Sequence, residues 1–292
     1  MKRKKIVNSL TAYIFIAPLV VGIVLFYIYP IFGSFYFSLT DWDGLNPMNF
    51  IGFQNYRNML SDPTILTEFA NTIFFTVISV PITIFLSTII ASILNQKIRA
   101  GGIFRTIFFL PYITLPVATA LVWFTMFNSQ FGIVNAMLSV FGMRPMWLME
   151  PMLLRFVIIL NLIWSGLGFN SIILLIGIQS IPSTYYEAAE IDGANRIKQF
   201  FFITLPLLTP QIFFVFIMGL IGTLRLFDQI FIFGRISIIA RESVRTVTYG
   251  IFIHGFTNLR MGYAAAVSVV LFLFIMIVTI TQFILQKKWV HY

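Results

Sequence analysis

Few residues in this 292-residue chain could do covalent chemistry. It has no cysteine, which excludes disulfides, thiolate catalysis and cysteine-based metal sites. Its two histidines, His254 and His291, stand far apart, and His254 lacks a partner at zinc-protease spacing. No Gly-x4-Gly-Lys-Ser/Thr phosphate loop occurs, so the chain cannot by itself build the usual nucleotide site. No metal or cofactor is expected in this chain. What remains is the chemistry of recognition, and it gathers in two places. One is the acidic, alanine-rich stretch 183–194, followed by Ile203, Leu205 and Pro206. The other is a set of amides, hydroxyls and indoles inside apolar runs: Asn161, Trp164, Ser165, Asn170 and Ser171, with Trp123 and Tyr263 elsewhere.

The acidic stretch is well punctuated. Pro182 ends the preceding helix, because proline disfavours helix at the residue before it. Thr184-x-x-Glu187 fits a capping box, and Gly193 can supply a left-handed stop. The expected helix is thus about two turns long. Ala188 and Ala189 let another surface approach closely. Asp192, at the negative end of the helix dipole, is mildly unfavourable and points to a partner or a turn role. Asn195 can cap the next helix, which runs toward Leu205-Pro206. The plainer alternative is an amphipathic loop helix lying on a membrane.

The elements that must position these groups are membrane spans. The chain is 59% hydrophobic and 10% charged, where soluble domains carry about 25% charged residues. The apolar residues come in long runs, without the alternation over about ten residues of a membrane barrel. Charge-free stretches long enough to cross about 30 Å of hydrocarbon predict six helices, at 12–37, 70–94, 106–127, 152–178, 207–227 and 263–285, in one domain of residues 1–292. The first run is too long for a signal peptide and reads as a retained signal anchor.

Six spans put both termini on one side, together with the 95–105 and 179–206 loops. That side holds eleven of the 19 Lys and Arg, including all seven Lys, against three acids; the other holds eight Arg against seven acids. By the positive-inside rule the first side is cytoplasmic. The net charge of +9 is therefore a topology signal, and no nucleic-acid partner is expected.

The full pattern Glu187-Ala188-Ala189, three residues, Gly193, nine residues, Ile203-x-Leu205-Pro206 resembles the permease subunits of binding-protein-dependent ABC importers. Further segments are similar to the sugar-type branch: Phe50-Ile51-Gly52-Phe53-Gln54-Asn55-Tyr56, Phe104-Arg105-Thr106, Phe109-Leu110-Pro111, Trp123, Gly132-Ile133-Val134-Asn135, Tyr186 through Ala194, Met261-Gly262-Tyr263-Ala264 and Lys288-Trp289-Val290. The resemblance covers nearly the whole chain. One departure stands out: where the family often has a Gly-Gly-Pro turn after Phe227-Asp228, this chain has Phe233-Gly234-Arg235.

The resemblance implies an all-α integral membrane protein of the type I importer permease fold in a bacterial-type cytoplasmic (inner) membrane. It implies a second homologous permease, two ATP-binding subunits that hold ATP and Mg, and an extracytoplasmic binding protein that delivers a sugar. Glu187, Ala188, Ala189, Asp192 and Gly193 would form a coupling helix seated in the ATPase, with Glu187 facing a basic residue. Ile203, Leu205 and Pro206 would make the rigid link to span five.

Sugar sites combine an aromatic platform with amides or hydroxyls, so Trp164 with Asn161 or Asn170 is one candidate path, and Trp123 and Tyr263 are others. Helix packing uses the same residue types. At about 100° per residue, a straight helix cannot aim both Asn161 and Asn170 at one sugar. Either Gly166 and Gly168 distort it, or one Asn binds a neighbouring span. Arg225 and Asp228, three apart, can pair near the outer edge of span five; a structural ion pair is the default reading there, and a gate the sharper one. A polyol or glycerol-phosphate ester is the alternative substrate. An intramembrane enzyme is disfavoured by the missing catalytic clusters, and a secondary transporter by the absence of ionisable residues in mid-span.

Overall fold

The structure is a computed structural model. It describes residues 2–96, 101–234 and 238–290, with side chains from Tyr13 onward except at 238 and 239. Lys97, Arg99, Arg235, His291 and the side chains of Lys2, Arg3, Lys4 and Lys5 lie outside the described residues. The chain forms two compact units, residues 1–63 with 250–273, and residues 64–249 with 274–292. In hydrocarbon every backbone donor and acceptor must be satisfied internally, and a helix does this within one segment. The described residues are accordingly helical, apart from turns and one isolated bridge between Thr40 and Phe50.

The first unit begins with α1 (Lys2–Ile23), which passes through a π-helical stretch Val24–Ile28 into α2 (Tyr29–Phe37). After a turn-rich loop comes α3 (Gln54–Leu60). The loop is folded by its own carboxylates. Asp43 accepts from the backbone of Leu45 and Asn46 at 2.9 and 2.8 Å, and Asp41 from Asn49. The buried Asn55 side chain donates to the carbonyls of Ser38 and Thr40.

In the second unit, α4 (Pro63–Leu94) carries a buried stripe of hydroxyls. Thr72, Thr76, Ser79 and Thr83 each donate to the carbonyl four residues back, at 2.6–2.8 Å. The stripe is polar in sequence yet satisfied within its own helix. The segment expected as one span at 106–127 is two helices, α5 (Gly101–Ile113) and α6 (Pro116–Met126), bent by 98°. Pro116 is the cause: the residue before a proline is driven out of the helical region, and Leu115 sits at ψ 130°. Counting this pair as one, six segments among the described residues are long and apolar enough to cross a membrane.

The short α7 (Ile133–Leu138) precedes α8 (Pro151–Gln179), which runs unbroken. Then follow α9 (Ser183–Ile191), α10 (Arg196–Gln199), a π-helical stretch Phe200–Thr204, α11 (Leu205–Leu207) and α12 (Thr209–Leu224). The chain continues through α13 (Asp228–Phe233), α14 (Ile238–Val244), α15 (Val247–Phe252) and α16 (Met261–Trp289). Val80, Ile84, Ala91 and Leu94 of α4 pack with Leu174, Leu175 and Ile178 of α8, and with Leu208 and Val215, as one apolar core.

Gly168 permits a close crossing of α5 and α8. A Cβ there would fall on the Phe108 carbonyl oxygen and lie 2.9 Å from Phe109 Cα, both backbone atoms that cannot swing aside. Gly168→Ala is therefore expected to push α5 off α8 and cost about 1–3 kcal/mol, although alanine is the better helix former. A thermal-unfolding midpoint of the purified permease equal to wild type would refute it.

Candidate functional site

The acidic segment forms the exposed helix α9 with a left-handed stop. Gly193 has φ +76°, the amide of Ala194 donates to the Ala189 carbonyl at 2.8 Å, and that of Gly193 to Glu190 at 3.0 Å. This is a Schellman-type end. Asn195 caps α10 by accepting from the Lys198 amide at 2.9 Å.

The expected capping box does not form. Pro182 occupies the cap position and makes no side-chain cap bond. The helix thus starts at Ser183, one residue earlier than a Thr184 cap requires, and Thr184 falls inside the first turn. Glu187 is released from any capping role. It is exposed, as are Ala188, Asp192 and Gly193, while Ala189 is half-buried. Ile191 is 87% exposed, a large apolar side chain displayed beside the carboxylates.

Tyr186 ties α9 to the following link, its hydroxyl lying 2.9 Å from Thr204 Oγ1. Ile203 sits in the π-helical stretch and Leu205-Pro206 in α11, all half-buried, and the chain passes directly into α12. A push on α9 therefore has a short, bonded route to that helix.

The second site is a cavity of about 430 Å3 in the same unit, within the range of about 300–1,000 Å3 usual for small-ligand sites. Its walls come from α4, α5, α6, α8, α12 and α13. Tyr112 and Phe169 stack at 4.6 Å between ring centroids and offer an aromatic surface. Asn170, Ser165 and Gln229 bring polar groups. The Ser165 hydroxyl has no hydrogen-bond partner among the described residues.

Arg225 and Asp228 also line this cavity, and they form no ion pair with each other among the described residues. Each serves a helix end instead: Arg225 caps the C-terminus of α12, and Asp228 opens α13, where the helix dipoles favour those charges.

The sequence candidates separate. Asn170 is on the cavity wall, whereas Asn161 is fully buried off it, with neither amide atom hydrogen-bonded among the described residues. Because α8 is continuous, the glycines do not bring the two amides to one face. Trp123 and Trp164 pack on each other at 5.8 Å but do not line the cavity. Tyr263 belongs to the other unit, buried, with its hydroxyl on Asp62 at 3.1 Å. Tyr112 and Phe169 were missed by sequence reasoning. Tyr112 directly follows the Phe109-Leu110-Pro111 motif, a signal that could have marked it. Nothing in the sequence distinguishes Phe169 among 34 phenylalanines.

The family model of the binding-protein-dependent transport system inner membrane component matches residues 64–291. The lactose transport system permease protein LacF of Rhizobium radiobacter is 36% identical over 295 residues, covering 99% of this chain and 97% of that one. The sn-glycerol-3-phosphate transport system permease protein UgpA of Agrobacterium fabrum is 29% identical over 294 residues, covering 98% and 97%. Among solved structures, a chain of a bacterial alginate ABC transporter in complex with an alginate pentasaccharide-bound periplasmic protein superposes with a TM-score of 0.88. It is 23% identical and covers 98% of this chain and 96% of that chain.

Proposed function

The chain belongs to the inner membrane components of binding-protein-dependent transport systems, and from that membership we propose that it forms half of a translocation path for a carbohydrate delivered by an extracytoplasmic binding protein. It is an integral membrane permease of the type I importer fold and not itself an enzyme. A second, homologous permease completes the path. Two separate ATP-binding subunits hold ATP and Mg and dock on the cytoplasmic side, where both termini lie.

The cavity is the observation that carries the carbohydrate reading. A stacked aromatic surface suits the apolar face of a sugar ring, and the carboxamide of Asn170 both donates to and accepts from hydroxyls. The lactose permease named above supports the same substrate class.

Closure of the ATP-binding subunits moves α9 through Glu187, Ala188, Ala189, Asp192 and Gly193. Ile203, Leu205 and Pro206 pass the motion to α12, whose residues Met218, Gly219, Gly222 and Thr223 line the cavity. The path alternates between inward and outward access by rigid-body movement.

Asn170→Ala is expected to raise the KM of uptake about tenfold, the equivalent of about 1.4 kcal/mol and the scale of one hydrogen bond. Basal ATP hydrolysis should stay unchanged. Uptake by the reconstituted complex measures it, and an unaltered KM would remove Asn170 from the path. A second reading, a glycerol-phosphate ester as substrate, draws on Arg225 in the wall, since guanidinium suits phosphate, and on the UgpA relative. Competition of sugar uptake by sn-glycerol 3-phosphate separates the two.

A further inference from the structure

The first unit holds a second cavity, of about 350 Å3, walled by Asp41, Trp42, Gln54, Asn58, Arg260 and Tyr263 among others. These residues come from the loop after α2, from α3, and from the turn that opens α16. The wall is rich in unspent donors. Among the described residues the Trp42 indole N–H and the exposed side chains of Gln54 and Asn58 make no hydrogen bond, and the Arg260 guanidinium makes neither hydrogen bond nor ion pair. The one carboxylate on the wall is already engaged: the Oδ1 and Oδ2 atoms of Asp41 accept from the Asn49 amide and side chain at 2.7 and 3.0 Å.

Arg260 is also held in place. Its guanidinium lies 4.4 Å from the centroid of the Tyr263 ring, a favourable cation–π geometry, and Tyr263 is itself fixed by Asp62. The Arg260 amide donates to the His254 carbonyl at 2.9 Å. The turn that delivers it is strained. Leu259 has φ +51°, the sole positive value at a non-glycine among the described residues, and such conformations concentrate where the surroundings over-determine them, often at binding sites.

We propose that this pocket is a docking point for the solute-binding protein, in which an aspartate or glutamate of that partner inserts between Arg260, Trp42 and Asn58. The inference rests on the function proposed above and on the six-span topology, which puts the segments 38–68 and 228–260 on the side opposite the cytoplasmic termini. An unspent guanidinium with neighbouring N–H donors calls for an acceptor that carries negative charge. The surrounding loop decides which source supplies it. Asp41, Asp43 and Asp62 outnumber Arg57 and Arg260 there, so an anionic lipid surface is repelled. A single carboxylate set among basic residues complements the patch, and that is an arrangement a folded partner can present.

The test uses the complete importer, both permeases with both ATP-binding subunits, in liposomes, with its cognate binding protein titrated at low and high salt. Stimulated ATP hydrolysis is the readout. Arg260→Glu is expected to raise the half-saturating binding-protein concentration at least about tenfold with an unchanged maximal rate, whereas Arg260→Lys stays within about threefold. Arg260→Gln should flatten the salt dependence seen in wild type, because one charge pair is gone. Saturation of Arg260→Glu identical to wild type at both salts overturns the docking point. So does an effect of Arg260→Glu that follows anionic lipid content and leaves binding-protein saturation unmoved. A wild-type complex that ignores its binding protein overturns the proposed function itself, which is a different result.

Discussion

Replacing Glu68 with alanine is expected to destabilise the permease by about 3–5 kcal/mol, because it leaves a largely buried guanidinium without its main counter-ion. Glu68 is fully buried, and its Oε1 receives Arg245 Nη2 at 2.6 Å and Nε at 3.1 Å. Arg245 also reaches Glu242 at 3.0 Å, but that carboxylate is 41% exposed and a screened partner cannot replace a buried one. The pair sits in a larger clamp. Asn71 donates to the Arg245 carbonyl, Arg155 reaches Asn71 and the Ser243 carbonyl, and the Val247 amide donates to Thr72. The segment 243–247 is thereby held on the first turns of α4.

The expected signature is a large fall in the thermal-unfolding midpoint and in the yield of purified permease. Glu242→Gln, which removes the exposed partner, should cost no more than about 1 kcal/mol. Replacing Glu68 and Arg245 together by leucine should recover much of the loss, since an apolar pair can substitute for a buried ion pair. A Glu68→Ala protein as stable as Glu242→Gln would show that the pair contributes nothing.

Glu187→Lys is expected to reduce co-purification of the ATP-binding subunits at least about tenfold, a difference of about 1.4 kcal/mol, and to abolish ATP-dependent uptake. The permease itself should insert and purify normally. Glu187 is exposed and has no ion pair among the described residues, so its removal costs the fold within about 0.5 kcal/mol. The loss is therefore a loss at a partner, where a basic residue is proposed to receive it. Gly193→Val should act in the same direction by another route. A Cβ at Gly193 meets nothing within 4 Å, but its φ of +76° is a conformation that a β-branched residue adopts only with strain, so the stop of α9 would be lost. Wild-type docking and uptake in both variants would sink the coupling role, and rescue of Glu187→Lys by a basic-to-acidic change in the ATP-binding subunit would identify the contact.

What the sequence determined by itself is what local patterns control. Long charge-free runs must become helices in a membrane, so the all-α class and the span count were legible. The stop at Gly193 and the cap at Asn195 follow from backbone conformation and one side-chain bond within three residues. The capping box at Thr184 and Glu187 failed on an equally local matter, the proline that moved the helix start by one residue, and the bend at Leu115 was visible as Pro116 once its effect on the preceding residue is considered. The decisive features of the cavity and the clamp are of another kind. Glu68 and Arg245 are 177 residues apart. Asn161 and Asn170 lie on one helix and look alike in sequence, yet only the packing of neighbouring helices against α8 makes one a wall of the cavity and buries the other. Tyr263, grouped by residue type with the sugar-binding candidates, was placed by tertiary structure beneath Arg260, in a different unit. Side-chain type says what a group can bond; which groups meet is settled by long-range packing, and no local pattern encodes that.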